Sequence, residues 1–203
     1  MVVNDQVGTR DVIVCNQVSF LEYIFLEKEY GPVFTQVASK NGRFGLRKLG
    51  LFEIPLASIG LRFPPEVKED DKNFFTDLGE LRASLYVQGR PIAVFPEGSK
   101  TNGRGILQLE EGIVEVIAKA AKSGMKIHTL RFDYEFEYAS PYNTTDVLGL
   151  KHMIKVLTQV RNVMVVQYYF NLEEKLAAAT TDGGAPTKGG KPVQNTPLDS
   201  AGQ

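Results

Sequence analysis

Cysteine occurs once in the 203 residues, as Cys15. A single thiol forms no intramolecular disulfide and no cysteine metal cluster, and a chain without bridges suits a reducing compartment. Histidine occurs twice, as His128 and His152, too far apart in sequence for a local metal motif. No metal is expected. Neither charge dominates: 23 Lys and Arg stand against 24 Asp and Glu. Nucleic-acid-binding domains carry a basic surplus, so no nucleic-acid partner is expected. No apolar run reaches the roughly 18 residues that cross a bilayer, so no transmembrane segment is expected in this chain. The first residues carry Asp5 and Asp11 and have no long apolar centre, unlike a secretory signal.

The remaining composition is that of a folded domain. Hydrophobic residues make up 43% of the chain, enough for one sizeable core. Short apolar runs alternate with stretches of helical period. "DVIVC", "VFTQVA", "LFEIPLA", "PIAVF", "MKIHTLRFDY" and "NVMVVQYYF" read as strands. "SFLEYIFLEKEY", Lys72 to Gln88, "LEEGIVEVIAKAAKSG" and "LGLKHMIKVLTQV" read as helices. Phe74, Leu78, Leu81 and Leu85 recur at three and four residues, one apolar stripe. "NGRFGLRKLG" reads as a short basic helix or loop. Strand and helix in alternation predict an α/β domain, a mostly parallel mixed sheet flanked by helices, over residues 8–172. From about Leu176 the chain turns to Gly, Pro, Thr and Lys, which predicts a disordered tail over 176–203.

Ligands of such sheets bind at the carboxyl ends of the strands. Two loops stand there, "NQVSFLE" after the first strand and "FPEGSKTNGRG" after "PIAVF". In the second, glycines let the backbone approach a ligand, and Lys100 and Arg104 can neutralise a phosphate. A solvated turn is the plain alternative, since Asn-Gly is a common turn pair.

"VFPEGSKTNGRGIL" resembles the Phe-Pro-Glu-Gly-Thr-Arg-Ser block of the glycerolipid acyltransferases, and more specifically the fungal lysophosphatidic acid acyltransferases that use oleoyl-CoA. The resemblance implies an acyltransferase-type fold and transfer of a fatty acyl group from acyl-CoA to a lysophospholipid such as lysophosphatidic acid. Acyl-CoA is then a co-substrate, and no cofactor is implied. It also implies phospholipid synthesis at a membrane surface, on the cytosolic face of endoplasmic reticulum or lipid droplet. Carried over, Glu97, Gly98, Ser99 and Lys100 bind the acceptor's phosphate and glycerol, with Arg104 beside them; Lys100 stands where Arg is usual.

The family's second block is Asn-His, four residues, then Asp. The histidine takes the proton of the acceptor hydroxyl and the carboxylate orients it. Here Asn16 and Ser19 fit, Gln17 stands at the histidine position and Glu22 at the aspartate position. An amide accepts no proton near neutrality. One reading has Glu22, one methylene longer than Asp, reach inward as a weak base, while the plain reading of Gln17 is a polar cap residue that binds or merely packs. The alternative function is therefore a catalytically silent lipid- or acyl-CoA-binding protein on the same scaffold. Between the blocks, Gly45 and Gly50 loosely match a glycine-containing segment. Lys40, Arg43, Arg47 and Lys48 form a basic cluster suited to an anionic membrane surface or to a solvated face.

Overall fold

The computed structural model describes residues 7–59, 66–85, 89–98, 109, 111–135, 149–159 and 163–169. The chain divides into Met1–Phe170 and Asn171–Gln203. The expected tail over 176–203 lies outside the described residues.

The elements run β1 (Val12–Cys15), α1 (Leu21–Glu29), β2 (Val33–Lys40), β3 (Arg43–Lys48), α2 (Glu53–Ser58), β4 (Phe74–Phe75), α3 (Leu78–Ser84), β5 (Ile92–Val94), α4 (Glu111–Lys122), β6 (Ile127–Glu135), α5 (Gly149–Leu157) and β7 (Val163–Tyr169). They build one seven-stranded mixed sheet in the order β4-β3-β2-β5-β1-β6-β7. The central strands β2, β5, β1 and β6 are parallel. β3 pairs antiparallel with β2 and β4, and β7 pairs antiparallel with β6.

Alternation along the strands sends side chains to two cores. Ile13 and Cys15 of β1 join Tyr23, Phe25 and Leu26 of α1 on one face, with Phe34, Ala93, Leu130 and Phe132 from neighbouring strands. Val12, Ile92 and Val94 point the other way, into Leu78, Leu81 and Leu85 of the α3 region and Ile113, Val116 and Ala120 of α4. The crossover from β1 through α1 to β2 therefore covers one face. The crossover from β5 through α4 to β6 covers the other.

Three expectations are corrected. The segment expected as a third strand, Leu51 to Ala57, is instead the helix α2. A short apolar run does not distinguish strand from helix, and Pro55 falls in the first turn, where a backbone N–H has no intrahelical partner to lose. The basic stretch expected as helix or loop is the strand β3. It follows a two-residue hairpin turn in which Asn41 (φ 50°) and Gly42 (φ 74°) are both left-handed, the pairing that an Asn-Gly turn favours. Phe74 belongs to the short strand β4, and the helix expected from Lys72 starts only at Leu78, where Asp77 caps it by accepting the Gly79 N–H at 2.5 Å. β4 also fixes Gly45: a Cβ there would stand 2.5 Å from the Phe75 carbonyl oxygen.

The basic cluster spreads along this β2–β3 edge. Arg47 is committed inward, with Nη2 donating to Glu53 at 2.7 Å and Nε to Asp71 at 2.9 Å. Burial would raise both carboxyls. Against it, Arg47 and the Gly50 N–H hold Glu53 below its ordinary value, and the Asn73 N–H and Arg47 do the same for Asp71. Carboxyls depressed in the folded state stabilise it above the ordinary carboxylate range, and that contribution is lost as pH falls through the folded pKa. Arg47→Met is expected to flatten the loss of stability on acidification. Urea unfolding of both proteins from about pH 7 to pH 3 checks this; parallel stability–pH curves would refute it.

No helix among the described residues is long and apolar enough to cross a membrane.

Candidate functional site

β1 and β5 are hydrogen-bonded neighbours, with Val14 opposite Val94. Their chains leave the carboxyl edge towards opposite faces of the sheet. This is a topological switch point, the place where open α/β sheets form a ligand crevice. The described parts of the two loops singled out by sequence, residues 16–22 and 95–98, both leave that edge and are called its two walls.

The first wall begins with Asn16. Its side-chain amide donates Nδ2 to the Phe132 carbonyl at 3.0 Å and its Oδ1 accepts the Phe132 N–H at 2.8 Å. The side chain thus continues the β1–β6 ladder past the end of β1, and both ends of the amide are engaged by backbone. Gln17 is buried and donates Nε2 to the Tyr23 hydroxyl at 2.8 Å. Burial, then the charges of Glu22 and Cys15, push the Tyr23 phenol well up, against the Gln17 hydrogen bond, so it stays protonated.

Glu22 is 0% exposed. Both its oxygens accept the Ser19 N–H, at 2.9 and 2.8 Å, and one accepts the Tyr134 hydroxyl at 2.6 Å. Ser-x-x-Glu at a helix start spells a capping box, and the carboxylate half of that box is present. Ser19 Oγ stands 3.5 Å from the Leu21 N–H. The same Glu22 therefore starts α1 and ties that start to β6.

The second wall is the turn Phe95–Pro96–Glu97–Gly98, closed by the Gly98 N–H on the Phe95 carbonyl at 3.1 Å. Pro96 takes the second position, where its fixed φ suits a turn. Gly98 is left-handed (φ 63°), and a Cβ on it would stand 3.2 Å from Val37 Cβ. Gly98→Ala is expected to cost about 1–2 kcal/mol from the left-handed backbone and to displace Glu97. A lowered thermal midpoint together with weaker ligand binding checks this; a variant indistinguishable from the parent in both would count against it. Below the turn, Phe95 packs on Tyr23 with ring centroids 4.9 Å apart, and Tyr23 packs on Phe34 at 5.0 Å. An aromatic cluster of the core thus lies beneath the second turn.

Glu97 is half-buried. Burial raises the Cys15 thiol well above its ordinary value, and the charges of Glu22 and Glu97 raise it further. The two carboxylates, one from each wall, thus act on one sulfur atom. Cys15 is held as the thiol, the unreactive form. Ser99, Lys100 and Arg104 lie outside the described residues. Among the described residues no group of three or more His, Cys, Asp or Glu gathers as a metal set.

Sequence reasoning missed two site residues, Tyr23 and Tyr134. Tyr23 was within reach, since it lies six residues after Gln17 on the same helix-starting segment. Tyr134 had no local signal: it meets Glu22 across 112 positions because β6 lies beside β1.

The fold is that of an α/β protein with one seven-stranded mixed sheet, and the candidate site lies where β1 and β5 end. No protein-family model, no curated protein and no solved structure matches the chain.

Proposed function

We propose that the crevice holds an acyl-CoA and a lysophospholipid such as lysophosphatidic acid side by side and transfers the acyl group between them, on a fold of the glycerolipid acyltransferase type. One observation carries the reading. The two blocks that resemble the glycerolipid acyltransferases, about eighty residues apart, begin at the carboxyl ends of two hydrogen-bonded neighbours, β1 and β5. In this reading Glu97 and Gly98 face the acceptor's glycerol, and Ser99, Lys100 and Arg104 hold its phosphate. A membrane surface supplies the lipid.

The acceptor oxygen bonds to the thioester carbonyl carbon, the carbon–sulfur bond breaks, and the hydroxyl proton ends on the coenzyme A thiolate. Gln17 takes no proton, and Glu22 is occupied by Ser19 and Tyr134. The crevice then acts by holding the reactants in contact, which is worth up to about 7–11 kcal/mol, without the general base that adds roughly 10²–10⁴-fold. The expected enzyme is slow.

That same pair of inward-facing side chains favours a second reading, a catalytically silent lipid- or acyl-CoA-binding protein. A single assay separates the two. Purified chain is given oleoyl-CoA and lysophosphatidic acid in mixed micelles, and both bound ligand and coenzyme A release are followed. Slow release that disappears in Glu97→Gln supports transfer. Saturable binding with no release supports the silent protein. Neither binding nor release refutes both.

A further inference from the structure

A concavity lies at the opposite edge of the sheet, where β1 and β5 begin. It has a volume of about 500 Å³ and is lined by Thr9, Arg10, Gly79, Arg82, Gly89 and Arg90, among others. Three arginines thus line it from three places in the chain: the lead-in to β1, the helix α3 and the lead-in to β5. No carboxylate is among the described lining residues.

Of the neighbouring acids, Glu27, Asp11 and Asp77 have partners of their own, and Glu80 of α3 is exposed. Arg90 is fixed as a wall. It donates Nε to the Gly31 carbonyl and Nη2 to the Pro32 carbonyl at 2.9 Å, and it meets Glu27 only at 3.4–3.5 Å. Asp11, the acid next to Arg10, is taken up by His128 at 2.8 Å and by the Gly8 N–H at 2.6 Å. Asp77, beside Gly79, caps α3. Arg10 is exposed and Arg82 half-buried; neither forms an ion pair with another described residue. Two uncommitted forks beside a third, anchored one suit a phosphoryl group, which Arg binds through paired N–H donors. The volume exceeds what one inorganic anion fills and falls within the range of small-molecule sites, about 300–1,000 Å³.

We infer that this amino-edge pocket binds a phosphorylated small organic molecule, gripped by Arg10 and Arg82 against Arg90. The site is independent of the acyl-transfer crevice and stands or falls without it.

Titration calorimetry on the full chain, with adenosine diphosphate and inorganic pyrophosphate as probes at matched ionic strength, tests the inference. Adenosine diphosphate is expected to bind saturably and more tightly than pyrophosphate. The double variant Arg10→Gln/Arg82→Gln is expected to lose affinity at least about tenfold, since each lost charge-assisted bond is worth about that much. Lys151→Gln/Lys155→Gln, at exposed positions of α5, is expected to leave it unchanged. Circular dichroism melts confirm that both double variants are folded. The inference is overturned by absence of saturable binding, by binding that survives the first double variant, by binding lost in the second, or by pyrophosphate binding as tightly as the nucleotide.

Discussion

Gln17→His is expected to raise acyl-transfer turnover by roughly 10²-fold or more, the lower end of what a positioned general base contributes. Position 17 already sits at the rim where β1 ends, and its side chain already meets a hydroxyl, that of Tyr23, at 2.8 Å. An imidazole there keeps that partner and adds a nitrogen that takes a proton near neutral pH. The expected change is in kcat, with KM for acyl-CoA nearly constant, because the substrate contacts are untouched. A folded Gln17→His protein with the parent's rate would show that this loop does not handle the proton. Turnover appearing only in the variant would establish the parent as the silent binder.

Glu22→Ala is expected to destabilise the fold by on the order of 3–5 kcal/mol, because two donors lose a charged acceptor worth about 1.5–3 kcal/mol each. The donors are the Ser19 N–H and the Tyr134 hydroxyl, both buried. Removing the carboxylate leaves them without it and opens a space between α1 and β6. Glu22→Gln, which keeps the shape and one acceptor oxygen, is expected to lose less. Urea unfolding at neutral pH measures both. A loss under about 1 kcal/mol for the alanine variant would contradict the tie described here. The comparison also bears on mechanism: if Glu22 chiefly builds the wall, activity in Glu22→Gln follows the folded fraction.

The middle strands β1 and β5 were legible because they are buried on both faces. Such strands read as continuous apolar runs, and "VIVC" and "PIAVF" are of that kind. The errors fall where one local pattern served two structures. The i, i+4 spacing of Phe74 and Leu78 suggests one helix, but Asp77 between them begins a new element. Asn41–Gly42 carried a hairpin signal, yet the basic residues after it suggested a solvated helix face. Glu22 shows the same ambiguity at the site. Its letter matched a catalytic position in the resemblance, while Ser19-x-x-Glu22 also matched a helix start, and only the geometry shows that the second use is made. Partners such as Tyr134 were beyond sequence reading, because they depend on which strand lies beside β1.

The two walls are fastened to different parts of the sheet. Asn16 and Glu22 clamp the first to β6, whereas Gly98 seats the second against Val37 of β2. Opening the gap would mean sliding β1 past β5, which their shared ladder resists. Neither turn can therefore shift far without disturbing the strands that anchor it.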